Sequence, residues 1–177
     1  MLELVIGGAR SGKSAYAEQR AKDSHHSVLY IATATADDDE MLHRIAFHKN
    51  TRPSGWQTIE EPIQLGKILT TLSNPSVPSE PVKPFVIVDC LTLWMTNILA
   101  LELVQYENEI TSFFEAIDST TTSIIFVTNE IGMGVVPLGE ETRRFIDESG
   151  RLHQRLAKQC HRVTQMIAGI ENRIKDE

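Results

Sequence analysis

The sequence predicts an α/β protein with a mostly parallel sheet and helices on both faces. Nearly continuous apolar runs form the predicted strands, at residues 2–6, 28–32, 85–89 and 124–128. Helical segments separate these runs, and strands that are apolar on both faces belong in a parallel sheet between layers of helices. Ligands of such sheets bind beyond the C-terminal ends of the strands. Functional residues are therefore expected directly after Ile6, Ala32, Val88 and Thr128.

The other elements of the first half follow from local signals. A helix from Lys13 to about Asp23 is rich in Ala, Glu, Gln and Arg. The acidic run at 37–40 suits the first turn of a second helix, which ends near Arg52 because Pro53 follows. A short strand at 56–60 and a helix at 63–72 come next. Residues 75–84 contain four prolines and form a surface connection.

In the second half, residues 91–117 are predicted to be helical with a break around 103–106. The last long helix places four side chains along one face, and a strand around 163–168 follows it. The side chains on that face are Phe145, Ser149, Leu152 and Leu156.

Length and composition describe one compact domain that spans residues 1–177. The apolar fraction is 41% and the net charge is −7, which argues against nucleic-acid binding because that requires a basic surface. No apolar stretch approaches the roughly 18 residues of a transmembrane helix, and no signal sequence precedes the first strand. Cys90 and Cys160 are interpreted as buried small hydrophobes. These observations predict a cytoplasmic protein.

A phosphate-binding loop of the GxxxxGK[ST] pattern connects the first strand to the first helix. Its glycines allow backbone N–H groups to approach phosphates, and the positive end of the helix dipole faces the anion. Lys13 neutralises the β- and γ-phosphate oxygens. The pattern therefore predicts a P-loop NTPase fold (RecA-like) and a triphosphate site, whose loop residues are Gly7, Gly8, Ala9, Arg10, Ser11, Gly12, Lys13 and Ser14.

A Mg²⁺ ion is predicted to bind between Ser14 and Asp89. The Ser14 hydroxyl is the usual metal ligand of the pattern, and Asp89 closes the apolar strand FVIVD. A carboxylate in that position contacts the metal directly or through water. The alternative role for Asp89 is the N-cap of the next helix, and both roles are compatible.

The segment HRIAFHKNTRP distinguishes the chain from a nucleotide switch. The N-K-x-D motif with which GTPases bind guanine is absent, and His48 lies four residues after Arg44 on a predicted helix. A cationic neighbour favours the neutral imidazole, which can attack an α-phosphate. The alternative is that His48 caps the helix or lies on the surface. Arg10, Lys13, Arg44, Lys49 and Arg52 can supply a local basic pocket.

Together these motifs resemble one family, the bifunctional adenosylcobinamide kinase / adenosylcobinamide-phosphate guanylyltransferase of cobalamin assembly. The resemblance runs nearly end to end. It rests on GGARSGKS (7–14), YIATA (30–34), DDEMLHRIAFHKNTRPSGWQTIEEP (38–62), DCLTLWMTN (89–97), TNEIGMGVVP (128–137) and GRLHQRLA (150–157).

The resemblance implies a role for each matching residue. It makes His48 the guanylylated histidine. The implied activity has two steps: ATP or GTP phosphorylates adenosylcobinamide, and GTP then forms a GMP–histidine. The corrinoid and the triphosphates are the implied ligands, and a homo-oligomer, with a trimer as the expected form, is the implied assembly. Nucleotide contacts beyond the loop fall on Ala32, Thr33, Ala34, Lys49, Asn50, Thr51, Arg52, Glu60 and Asp89.

Several interpretations stay open at this point. The family usually has Arg where Ile146 stands and Asn where His153 stands. Glu130 either orients the acceptor hydroxyl or anchors its loop, and residues 132–137 either shape the corrinoid pocket or form an ordinary turn. The rival functions are a monofunctional P-loop kinase of another small alcohol and a regulatory module that hydrolyses triphosphate slowly.

Overall fold

The computed structural model describes residues 1–35, 49, 52–73 and 83–177. Within these ranges no helix is long and apolar enough to cross a membrane. The strands are β1 (Leu2–Gly7), β2 (Val28–Ala32), β3 (Gln57–Glu60), β4 (Phe85–Asp89), β5 (Ser123–Asn129), β6 (Arg162–Ile167) and β7 (Ile170–Asp176). The helices are α1 (Lys13–Asp23), α2 (Leu65–Ser73), α3 (Leu91–Leu99), α4 (Leu103–Ser119) and α5 (Glu140–Gln159).

One sheet contains all of these strands, in the order β3-β2-β4-β5-β1-β6-β7. Each neighbouring pair is parallel except β6 and β7. Successive residues of a strand point to opposite faces, so Leu4 belongs to the core beneath α2 to α5, whereas Val5 belongs to the core beneath α1. This explains the continuous apolar runs, and it confirms the predicted α/β fold.

The predicted elements agree with the observed ones, with one displaced break. Helix α3 ends at Leu99 and α4 begins at Leu103, so the break falls before the predicted position at 103–106. Glu102 is extended and its carbonyl accepts from the Tyr106 N–H at 3.0 Å. Residues 103–106 therefore form the first turn of α4. Apart from Lys49 and Arg52, the predicted helix over 41–52 lies outside the described residues, as does most of the proline-rich connection.

Strand β7 was not predicted, because its charged sequence IENRIKD lacks the pattern of a buried strand. Ala168 and Gly169 both have positive φ, 50° and 82°, as a two-residue turn of type I′ requires. This turn lets β7 pair with β6 in antiparallel orientation at the sheet edge. The Lys175 ammonium then donates to the Cys160 carbonyl at 2.7 Å, just beyond the C-terminus of α5. A Gly-containing pair between two Ile residues was the signal for this hairpin.

A buried carboxylate connects β1, α1 and β6. Glu3 is fully buried, and its Oε1 accepts from the Tyr16 hydroxyl and the Thr164 hydroxyl, each at 2.8 Å. Arg20 and Arg162 lie 3.5 and 3.9 Å from its Oε2. Buried charges need such partners. The cluster lies on the α1 side of the sheet and helps to hold the helix that follows the phosphate loop.

Candidate active site

The phosphate loop leaves β1 and turns directly into α1. At Gly7 a Cβ would collide with the Met166 carbonyl oxygen and approach the Ser11 Oγ to 2.8 Å, so only glycine fits here. Gly12 has φ +97°, a conformation that glycine adopts without strain. The Lys13 ammonium donates to the Gly8 carbonyl at 2.6 Å across the loop. Burial lowers the pKa of Lys13, and Asp89 partly opposes that shift.

The β6–β7 hairpin supports this loop from the side. The Gly169 N–H donates to the Ser11 carbonyl at 2.9 Å. A Cβ on Gly12 would lie 3.2 Å from the Gly169 Cα, so the two backbones are closely packed. The β6–β7 hairpin, whose second strand was not predicted, therefore helps to fix the conformation of the phosphate loop.

Asp89 faces the loop from the end of β4. Its Oδ2 accepts a hydrogen bond from the Ser14 hydroxyl at 2.8 Å and another from the Tyr30 hydroxyl at 2.6 Å. The N-cap of α3 is Cys90, whose sulfur accepts from the Leu93 N–H at 3.5 Å. Asp89 is thus free of the capping role. Burial raises the pKa of the Cys90 thiol to about 11, so this thiol stays neutral near pH 7.

The donor set at Asp89 suits a magnesium ion. Ser14 and Asp89 supply a hydroxyl and a carboxylate oxygen 2.8 Å apart, beside the phosphate loop. Mg²⁺ prefers hard oxygen ligands and is usually held by one or two protein groups together with substrate phosphates and water. These residues therefore fit the predicted metal, which stays a prediction.

One cavity of about 1000 Å³ joins the loop to the segment after His48. The Lys49 ammonium lies 2.9 Å from the Glu60 carboxylate, and the Arg52 guanidinium lies over the Tyr30 ring. Predicted site residues that line this cavity are Ala9, Arg10, Ser11, Gly12, Lys13, Ser14, Ala32, Ala34, Lys49, Arg52, Glu60 and Asp89. His48, Asn50 and Thr51 lie outside the described residues.

Thr33, also predicted to contact nucleotide, is fully buried and is not among the residues that line that cavity. Its hydroxyl donates to the Cys90 carbonyl at 2.7 Å and accepts from the Cys90 N–H at 2.8 Å. The Asn97 amide donates to the Thr33 carbonyl at 2.9 Å. In this structure Thr33 therefore joins the end of β2 to the start of α3.

Sequence reasoning missed several residues of the cavity wall. Tyr30 looked like an ordinary core residue because it lies in the middle of an apolar strand. Asn129 closes β5, and its position just beyond the strand end was the available signal. The cavity-lining residues that were not predicted are Ala15, Tyr30, Thr35, Pro62, Cys90, Leu93, Val127 and Asn129.

Glu130 and the loop after it lie beside the site. The Glu130 Oε1 accepts from the Gly132 N–H at 2.6 Å, which is the loop-anchoring arrangement. The loop exposes several large apolar side chains, including Val135 at 96% and Leu138 at 98%. A second cavity of about 160 Å³ lies between this loop and α5, where Ile146 lines it.

A row of hydroxyls connects His153 on α5 to the end of β5. The His153 Nε2 lies 2.8 Å from the Thr128 Oγ1, which is 3.2 Å from the Thr92 Oγ1. The Thr92 Oγ1 in turn accepts from the backbone N–H of Asn129, a cavity-lining residue, at 2.7 Å. Burial lowers the pKa of His153 below its usual 6.5, and Glu130 partly opposes the shift.

The lowered pKa of His153 predicts a loss of stability in mild acid. As the pH falls below about 6.5 the unfolded chain binds a proton at this position before the folded chain does. The free energy of unfolding therefore decreases, by at most about 1.4 kcal/mol per pH unit for one group. The free energy of unfolding, measured in urea, should differ more between pH 7.5 and pH 5.5 in the unmodified protein than in His153→Asn. Equal differences in the two proteins would contradict the prediction.

Comparison with known proteins assigns the family. The family model described as cobinamide kinase / cobinamide phosphate guanyltransferase (CobU) matches residues 3–174. The chain belongs to this family. It is 45% identical to the bifunctional adenosylcobalamin biosynthesis protein CobP of Pseudomonas aeruginosa (strain PAO1), over 100% of this chain and 99% of that protein. It is 37% identical to the bifunctional adenosylcobalamin biosynthesis protein CobU of Escherichia coli (strain K12), over 99% of this chain and 100% of that protein.

A solved structure supports the fold assignment of this CobU-family chain. The RadB recombinase covers 93% of this chain with a TM-score of 0.50 and 17% identity, and the match spans 73% of RadB. At that identity the likeness concerns the fold alone. The resemblance that the motifs suggested and the P-loop fold are both confirmed, and the chain is a transferase of the cobinamide kinase / cobinamide phosphate guanyltransferase family.

Proposed function

We propose that this protein phosphorylates adenosylcobinamide with ATP or GTP and then transfers GMP from GTP to the product through a GMP–histidine on His48. One observation carries the proposal. The phosphate loop lines the same cavity as Lys49 and Arg52, two cationic residues of the segment that contains His48. Lys49 directly follows His48 in the chain, so a triphosphate held by the loop lies beside the segment that carries the nucleophile.

In the proposed kinase step, the terminal hydroxyl of the corrinoid's aminopropanol arm attacks the γ-phosphorus. The bond from the γ-phosphorus to the β–γ bridging oxygen breaks, the nucleoside diphosphate leaves, and the hydroxyl proton passes to solvent. Lys13 and the backbone N–H groups of the loop stabilise the charge on the phosphate oxygens. Ser14 and Asp89 would hold Mg²⁺, which would neutralise part of the phosphate charge when bound.

In the proposed guanylyl transfer, the His48 imidazole attacks the α-phosphorus of GTP, and the bond to the bridging oxygen breaks to release pyrophosphate. A phosphate oxygen of adenosylcobinamide phosphate then attacks the same phosphorus. The phosphorus–nitrogen bond breaks, adenosylcobinamide-GDP forms, and the histidine becomes free again. Two steps allow one nucleotide site to serve a bulky acceptor that binds after pyrophosphate has left.

The test uses GTP labelled at the α-phosphate, with Mg²⁺ and purified protein, followed by denaturation. We expect label that stays on the protein, is acid-labile and alkali-stable, and disappears in His48→Ala. His43→Ala is the matched control, since it removes a histidine from the same segment, and it should keep the label. An unlabelled wild-type protein that demonstrably binds GTP would contradict the transfer and favour a monofunctional P-loop kinase.

The assembly is a separate part of the proposal. By analogy with the family we propose a homo-oligomer, with a trimer as the expected form, in the cytoplasm. Light scattering after size-exclusion chromatography measures the mass directly against the 19.9 kDa of one chain. A mass of one chain at micromolar concentration would contradict it.

A further inference from the structure

The buried hydroxyl of Tyr30 has the Asp89 carboxylate as its hydrogen-bond partner. Tyr30 is 1% exposed in β2, and a phenylalanine would fill the same apolar space. Its hydroxyl nevertheless donates to the Asp89 Oδ2 at 2.6 Å. Hydrogen bonds from two donors, Tyr30 and Ser14, meet on this one oxygen. A carboxylate is planar, so two donors on one oxygen also fix the direction of the other oxygen.

Of the two donors, only the tyrosine lies outside the predicted metal site. The Ser14 oxygen is itself a predicted metal ligand, whereas the Tyr30 hydroxyl is not, so the contact of Tyr30 with Asp89 does not require an oxygen that the metal would use. A tyrosine hydroxyl carries its proton at neutral pH, so it can act as the donor in this contact.

The ring of the same tyrosine supports a cation of the cavity wall. The Arg52 guanidinium carbon lies 3.6 Å from the Tyr30 ring centroid, a stacked cation–π contact. Arg52 lines the cavity, and its Nε is buried with no hydrogen-bond partner among the described residues. The contact with the Tyr30 ring therefore stabilises the position of the Arg52 guanidinium, whose Nε makes no hydrogen bond among the described residues.

We propose that Tyr30 is a positioning residue that aligns the Asp89 carboxylate through its hydroxyl and the Arg52 guanidinium through its ring, so that both face one bound triphosphate. This inference rests on the proposed function, which places a triphosphate and Mg²⁺ in this cavity. It connects the metal side of the site to the segment that carries His48.

The two halves of Tyr30 can be separated by two substitutions. Tyr30→Phe keeps the ring beneath Arg52 and removes the donor to Asp89. Tyr30→Leu removes both. Tyr16→Phe is the matched control, because its hydroxyl also donates to a carboxylate, Glu3, at 2.8 Å, but Tyr16 is not among the residues that line the cavity.

The measurement is equilibrium binding of a fluorescent β,γ-imido analogue of ATP across a series of Mg²⁺ concentrations, without corrinoid and without turnover. In Tyr30→Phe we expect the Mg²⁺ concentration for half-maximal tight binding to rise about tenfold, as for loss of groups that orient metal ligands. Affinity at saturating Mg²⁺ should stay within about twofold. Tyr30→Leu should show the same Mg²⁺ shift and an affinity at saturating Mg²⁺ that is weaker by about fivefold.

The outcomes distinguish a failure of the inference from a failure of the proposed function. An unchanged Mg²⁺ requirement in Tyr30→Phe overturns the role of the hydroxyl and leaves the proposed reactions intact. Equal affinities of Tyr30→Leu and Tyr30→Phe at saturating Mg²⁺ overturn the role of the ring. A comparable Mg²⁺ shift in Tyr16→Phe would mean general loosening and overturns the positioning role. Nucleotide binding by wild type that ignores Mg²⁺ removes both the metal of the proposed function and this inference.

Discussion

Replacing Lys13 by Met is expected to lower kcat/KM of both proposed reactions by about 10³-fold, the effect of removing one preorganised charge-stabilising donor. Lys13 is 7% exposed and its ammonium reaches across the loop to the Gly8 carbonyl. The proposed function places both reactions in one triphosphate site, so the rates of both should fall. His48→Ala, in contrast, should abolish only the guanylyl transfer. Phosphorylation of adenosylcobinamide and α-phosphate labelling, assayed separately, measure the two effects.

The methionine keeps the length and apolar character of the lysine stem. Because burial disfavours the ammonium, its removal should leave the melting temperature unchanged or raise it. Lys22→Met is the control: Lys22 is an exposed residue of the same helix, and its loss should change neither reaction. A Lys13→Met protein that keeps either reaction within tenfold of wild type would contradict the assignment of one shared site.

Replacing Gly66 by Ala is expected to destabilise the fold by about 3 kcal/mol, at the upper end of the usual cost of overpacking. Gly66 lies in α2 where this helix packs against α4. A Cβ there would collide with the Ser112 hydroxyl and lie 2.7 Å from the Phe113 backbone nitrogen. Backbone atoms of a packed helix cannot move aside cheaply, so the two helices must separate. The free energy of unfolding in urea measures the effect.

Gly150→Ala is the matched control, since it makes the same substitution in another helix. Apart from its chain neighbours and the nearby backbone of its own helix, no atom of the described residues lies within 4 Å of the Cβ position at Gly150, and alanine favours an α-helix over glycine by about 1 kcal/mol. This variant should therefore be more stable than wild type. A Gly66→Ala protein as stable as wild type would show that the approach of α2 to α4 is not as close as described.

The local parts of the fold could be predicted from the sequence. The boundaries of β1 and α1 follow from an apolar run, a glycine pattern and a helix-forming segment within 23 residues of the N-terminus. Strand β4 is likewise predicted by an apolar run that ends in Asp89. In contrast, β7 is charged and exposed, and its pairing with β6 depends on a two-residue turn, Ala168 and Gly169, whose single glycine is a weak sequence signal.

The candidate site divides in the same way. The loop residues, Asp89 and the cationic segment were each predicted from a motif, and the cavity brings their described members together. Glu130 remained ambiguous in the sequence because a carboxylate beyond a strand end suits catalysis and anchoring equally. Its hydrogen bond to the Gly132 N–H shows the anchoring contact.

The sequence by itself determined the α/β class, the phosphate loop and the identity of the family, because each depends on patterns of neighbouring residues. Only the tertiary structure decided that Tyr30 contacts Asp89, a residue 59 positions away, and that Arg52 lies on the Tyr30 ring. Such contacts depend on which strands become neighbours in the sheet. An apolar strand that contains a tyrosine has the same sequence pattern whether or not the tyrosine hydroxyl orients a carboxylate.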